Sequence, residues 1–143
     1  MSVNNKRSFF RVEFQHPLCA ELKIIDYEVI DPESKIVKAA LVNLSAGGAR
    51  FYTASPLPEE DHLLVELKFT AMGKEYKPVG TIARSILPEE GHYEYSAQFS
   101  LDETDTAALT GMLNQMSVKL RKTPVLTGCS FCTDEDLIGF KPL

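Results

Sequence analysis

The groups best suited to chemistry lie in two stretches. One is Arg7-Ser8-Phe9-Phe10-Arg11; the other is Asn43-Leu44-Ser45-Ala46-Gly47-Gly48. A guanidinium is planar and permanently charged, so it can fork onto phosphate oxygens, donate two hydrogen bonds to O6 and N7 of guanine, or stack on a purine face. Lysine supplies only the charge. Asn and Ser offer side-chain hydrogen bonds beside the backbone, and adjacent glycines permit φ > 0 and the close approach of another molecule. Each stretch also has a plainer explanation, an exposed basic tail for the first and an ordinary turn for the second.

Charge distribution narrows the ligand. The chain has a formal net charge of −5, which argues against DNA, RNA or an anionic membrane surface as a partner. Lys6, Arg7 and Arg11 face only Glu13 within the first fifteen residues, a net of +2, which leaves −7 on the remainder. A small cationic arm on an acidic body suits a compact anion better than a polyanion.

These residues need a scaffold, and 143 residues with 44% hydrophobic and 24% charged side chains are enough for one domain with a real core. From Leu18 the pattern is β. Strands are predicted over Cys19–Ile30, Lys35–Val42, Ala49–Thr53, His62–Phe69, Glu75–Leu87 and His92–Ser100, with turns at Asp31–Ser34, Asn43–Gly48, Pro56–Glu60, Ala71–Lys74 and Pro88–Gly91. The clearest alternation sets Leu63, Val65, Leu67 and Phe69 against Leu64, Glu66 and Lys68. Pro78 and Gly80 point to a bulge or edge in the fifth run. Six strands joined by short turns predict an antiparallel sandwich or small barrel.

The period changes at Asp102. Acidic Asp102, Glu103 and Asp105 precede an apolar face of Leu109, Met112, Leu113, Met116 and Leu120, and basic Lys119, Arg121 and Lys122 follow, which predicts a helix from about Glu103 to Arg121. That face either covers the open side of the β-structure, the commoner arrangement, or serves a partner or a homodimer. The domain reading is therefore an arm over 1–17, a barrel plus helix over 18–122, and an irregular tail over 123–143 with at most one short helical turn.

Catalysis finds little support. His16, His62 and His92 fall in separate turns, no Gly-x-Ser-x-Gly or P-loop pattern is present, and Glu59-Glu60-Asp61 and Glu89-Glu90 read as hydrated surface. Cys129-Ser130-Phe131-Cys132 is a lone C-x-x-C with no second pair to complete a zinc site, so tail packing is the plainer reading beside a redox pair or a metal shared across a dimer. Three cysteines, no apolar run long enough for a membrane span and no signal-peptide core lead to the expectation of a cytoplasmic, non-enzymatic protein without metal or cofactor.

Taken together, Arg7-x-x-x-Arg11 followed by Asn43-x-Ser45-x-x-Gly48 resembles the two-part signature of PilZ domains, bacterial receptors for the second messenger cyclic di-GMP. Val79-Gly80-Thr81-Ile82-Ala83-Arg84 is similar to the family's fifth strand and Tyr95-Ser96-Ala97-Gln98-Phe99 to its sixth, with Ser96 where the family often has Gly. The resemblance runs from about Lys6 to Arg121 and leaves the tail outside it. It implies a mainly β fold, a six-stranded antiparallel barrel of split-barrel type with a C-terminal helix. It implies cyclic di-GMP as ligand, with Arg7 and Arg11 gripping phosphate and guanine, Asn43 and Ser45 bonding a guanine edge or a phosphate oxygen, Gly47 and Gly48 allowing backbone approach, and Lys6 adding charge that favours a stacked ligand dimer. A stand-alone receptor of this kind relays binding to an unidentified partner protein by reordering its arm; the alternative is an interaction module on the same fold that binds no nucleotide.

Overall fold

The computed structural model describes residues 10–25, 36–58, 62–86 and 93–140. Among these residues seven strands form in the order β1 (Arg11–Ile24), β2 (Ile36–Ser45), β3 (Gly48–Thr53), β4 (Leu64–Ala71), β5 (Lys74–Tyr76), β6 (Val79–Ile86) and β7 (Tyr93–Phe99), followed by helices α1 (Glu103–Leu120) and α2 (Asp134–Phe140). Around the sheet the strands run β1-β2-β3-β7-β6-β4, every pairing is antiparallel, and β1 pairs again with β4. Six strands thus close into the expected barrel, and β5 hangs on β4 as the second arm of a hairpin. Closure leaves no bare edge along most of the ring.

The core follows from the alternation. Leu63, Val65, Leu67 and Phe69 are buried while Leu64 is exposed, and Leu18, Ala20, Leu22 and Ile24 do the same on β1. Burying each large apolar side chain contributes about 1.5–3 kcal/mol before entropy is counted. Helix α1 adds Leu109, Met112, Leu113 and Met116 to the same core. Its start is fixed by Asp102, whose Oδ1 accepts from the Asp105 amide at 2.7 Å.

Two boundaries differ from the sequence expectation. The strand expected from about residue 18 begins at Arg11, because Val12 and Glu13 pair with Leu44 and Asn43 before the register slips over Phe14–Pro17. His16, expected in a turn, lies instead at an interruption inside one strand. The run Glu75–Leu87 is divided at Lys77-Pro78, where proline lacks an amide but its carbonyl accepts from the Leu67 amide at 3.0 Å. The expected turns at Asp31–Ser34 and Pro88–Gly91 lie outside the described residues.

The tail is the largest departure. It holds a two-turn helix, α2, entered through a reciprocal cap in which the Thr133 amide donates to Asp136 Oδ2 at 2.8 Å and the Asp136 amide donates to Thr133 Oγ1 at 3.0 Å. Ahead of it, residues 128–132 wedge between β1 and β4. The Cys19 amide donates to the Ser130 carbonyl at 2.7 Å, the Ser130 amide to the Thr70 carbonyl at 2.9 Å, and Ser130 Oγ bonds the Cys19 carbonyl at 2.8 Å and the Thr70 amide at 3.1 Å. One serine thereby joins the two strands where their own pairing, which starts at Glu21↔Lys68, has not yet begun.

Candidate functional site

The β2–β3 connection is tighter than its six-residue sequence suggests. β2 runs on through Ser45 and β3 starts at Gly48, so only Ala46 and Gly47 form the turn. Ser45 Oγ accepts from the Gly47 amide at 3.1 Å and donates to the Gly48 carbonyl at 3.4 Å, a hydroxyl bracing the turn that follows it. Register slips in β2 between Leu41↔Phe51 and Asn43↔Arg50, and at that slip Asn43 Oδ1 accepts from the Arg50 amide at 3.1 Å. The side chain replaces a backbone acceptor that the bulge displaces.

Register also decides which residues meet. Arg11 lies directly across from Ser45 and Glu13 across from Asn43, with the core-facing pair Val12 and Leu44 between them. Arg11, Glu13, Asn43 and Ser45 therefore share the outward face of the sheet. Arg11 is exposed, whereas Asn43 and Ser45 are buried against the turn. Lys6 and Arg7 lie outside the described residues.

The glycines serve packing before anything else. A Cβ on Gly48 would overlap the Ala97 carbonyl oxygen of β7, and one on Gly80 would overlap the neighbouring Gln98 carbonyl from the other side. β7 is pinched between β3 and β6 at a point where neither neighbour can carry a side chain. Close approach of β7 is the demand that the structure places on Gly48.

Two more cations, Arg50 and Arg121, stand near this face and are absent from the residues expected there. Arg50 on β3 is tied to Glu94 of β7, Nε to Oε2 at 2.9 Å. Arg121, the C-cap of α1, shares with Arg11, Glu13 and Gln15 a cleft of about 230 Å³. The alternation of β3 was a usable signal for Arg50; only the packing of α1 beside β1 brings Arg121 in. Among the described residues no group of three or more His, Cys, Asp and Glu could hold a metal, and no helix is long and apolar enough to cross a membrane.

This arrangement sets guanidinium charge beside hydrogen-bonding groups. A family model for the PilZ domain matches residues 5–115, a span that contains both stretches and the whole barrel. The chain belongs to the PilZ domain family. No curated protein matches it by sequence. Among solved structures, the Bacillus subtilis inhibitor of motility MotI/DgrA is similar with a TM-score of 0.59 at 14% identity, over 85% of this chain and 54% of that one. Escherichia coli YcgR in complex with c-di-GMP gives 0.57 at 17% identity, over 82% and 48%. The PilZ domain of YcgR with c-di-GMP gives 0.53 at 16%, over 85% of this chain and 100% of that domain. This chain thus spans about half the length of the first two. At these identities the likeness concerns the fold, and the PilZ match stops short of the tail that closes the β1–β4 seam.

Proposed function

We propose that this PilZ chain is a non-enzymatic cytoplasmic receptor for cyclic di-GMP that relays binding to a partner protein by reordering its N-terminal arm. The observation that carries the reading is the β1–β2 register, which sets Arg11 across from Ser45 within the family match. Arg11 and Arg7 take the phosphates and a guanine. Asn43, with Oδ1 committed to the Arg50 amide, turns its donor end to a guanine or phosphate oxygen, and Ser45 gives up its long bond to the Gly48 carbonyl to do the same. Gly47 and Gly48 keep that rim of the site free of side chains, and Lys6 adds charge for a second, stacked ligand. The c-di-GMP complexes of YcgR support the choice of ligand.

Calorimetric titration of the full chain with cyclic di-GMP tests this. Binding is expected, and Arg11→Ala should weaken it by about 1.5–3 kcal/mol, roughly 10- to 150-fold in Kd, the scale of a hydrogen bond to a charged group. No heat of binding with ligand on the order of tens of micromolar would sink the proposal.

A further inference from the structure

The cysteine that pairs with Cys132 in space is not its C-x-x-C neighbour. Cys129 Sγ accepts from the Met72 amide at 3.3 Å and joins the main core. Cys132 instead faces a small separate cluster with Ala40, Cys19, Tyr52 and Leu137. The backbone explains this. Leu18 and Phe131 form an antiparallel bridge, flanked by the Cys19 amide donating to the Ser130 carbonyl at 2.7 Å and the Cys132 amide donating to the Pro17 carbonyl at 2.9 Å. Residues one step from each bridge partner point to the opposite face from it, so Cys19 and Cys132 share a face, and their thiols are hydrogen-bonded to one another.

The two sulfurs are not equivalent. Cys132 is buried, whereas Cys19 is half-buried and lines a cleft of about 230 Å³ with Glu21, Lys38, Lys68 and Glu75. The Cys132 thiol donates to Cys19, and this bond draws the Cys19 pKa below its ordinary value; Lys38 acts in the same direction, against burial and the Asp136 carboxylate. Cys132 is pushed up by the same bond, by burial and by the nearby charges of Cys19 and Asp136. Cys19 is thus the sulfur that a solute in the cleft can reach, and Cys132 is enclosed behind it.

We propose that Cys19 and Cys132 are a peroxide-reactive dithiol, with Cys19 the attacking and Cys132 the resolving sulfur, whose oxidation staples the C-terminal segment to β1. The oxidant is a hydroperoxide, hydrogen peroxide in the simplest case. The Cys19 thiolate attacks one peroxide oxygen; an S–O bond forms, the O–O bond breaks, and hydroxide leaves. Cys132 gives its proton to that hydroxide and attacks the Cys19 sulfenic acid; the S–S bond forms, the S–O bond breaks, and the departing hydroxide takes up from solvent the proton that Cys19 had released on ionising, as a second water. Two thiols and one hydrogen peroxide become one disulfide and two waters, and a dithiol reductant reverses the change. The switch is independent of any nucleotide at the opposite end of β1.

The full chain treated with hydrogen peroxide, alkylated and mapped by mass spectrometry tests this. Loss of two of its three thiols is expected, with Cys19- and Cys132-containing peptides crosslinked and both thiols restored by dithiothreitol. Cys129→Ser should leave the crosslink intact. Cys132→Ser should stop at a sulfenic acid on Cys19 that dimedone traps. Three alkylatable thiols after treatment, a crosslink through Cys129, or a dimedone adduct on Cys132 of the parent chain would overturn the proposal, and the parent measurement stands even where a variant folds poorly.

Discussion

Asn43 provides the sharpest test of how the motif is built, because its fold role can be measured apart from any ligand. Its side chain is only 8% exposed and Oδ1 accepts from the Arg50 amide at 3.1 Å across a slipped register. Asn43→Ala removes that acceptor and leaves a part-buried amide unpaired, a cost of about 1–3 kcal/mol. Asn43→Asp retains an oxygen in the same place, but sets a carboxylate across from Glu13, and like charges directly opposed cost about 0.2–1 kcal/mol. The expected order of stability is parent, then Asp, then Ala. At about 2–4 °C per kcal/mol for a chain near this size, the alanine variant should melt roughly 2–12 °C lower. Urea unfolding followed by circular dichroism gives the order directly, provided the slopes agree. Alanine and aspartate variants of equal stability, or an alanine variant within about 0.5 kcal/mol of the parent, would refute the account of Asn43 as a backbone surrogate.

Other outcomes follow from the same contacts. Gly48→Ala forces a methyl onto the Ala97 carbonyl and should cost about 1–3 kcal/mol or more in urea unfolding, with or without ligand; an unchanged midpoint would show that β7 yields. Ser130→Ala removes the acceptor of the Thr70 amide and the donor to the Cys19 carbonyl, so hydrogen exchange at Thr70 should accelerate while exchange at Leu67 in the closed ring does not. Asp136 is held well below the ordinary carboxylate value of 3.8, at about 2, chiefly by the Thr133 amide and then by Lys38. A depressed native pKa means that the unfolded chain binds the proton first, so this stabilisation is complete above about pH 4 and fades as pH falls toward 2. Thermal melts of Asp136→Asn against the parent should differ at pH 5 and converge at pH 2; a constant gap would be the contrary result.

What could be read from the sequence was what short-range periodicity encodes. Leu63 to Phe69 alternate strictly and become β4; Asp102 and the Leu109–Met116 face define α1 to within a residue or two. β1 was harder because Phe14-Gln15-His16-Pro17 interrupts both alternation and hydrogen bonding, and its first residues are held only by partners thirty positions away on β2. Asn43 and Ser45 are recognisable as turn formers, yet they end up inside β2, bracing a turn of two residues. Thr133-x-x-Asp136 was a readable helix start that the glycines and prolines around it obscured.

Residues 128–132 carry no periodic signal at all, and their fold role arises wholly from distant partners. Met72 and Gly73 turn the β4–β5 hairpin with φ of 53° and 79°, and the tail holds both from outside, Gly128 accepting from the Gly73 amide at 2.8 Å and Cys129 from that of Met72. Ser130 then joins Thr70 to Cys19, and Phe131 fills the interruption in β1 by packing on Phe14 and His16. A segment beyond the family match therefore fixes the same strand, β1, whose opposite end presents Arg11 to Ser45. The slip over Phe14–Pro17 lies between them, so whatever loosens or staples the tail acts on the least regular part of that strand. Phe131, against Phe14 and His16, is thus the tail's contact with the interrupted stretch that separates the two ends of β1.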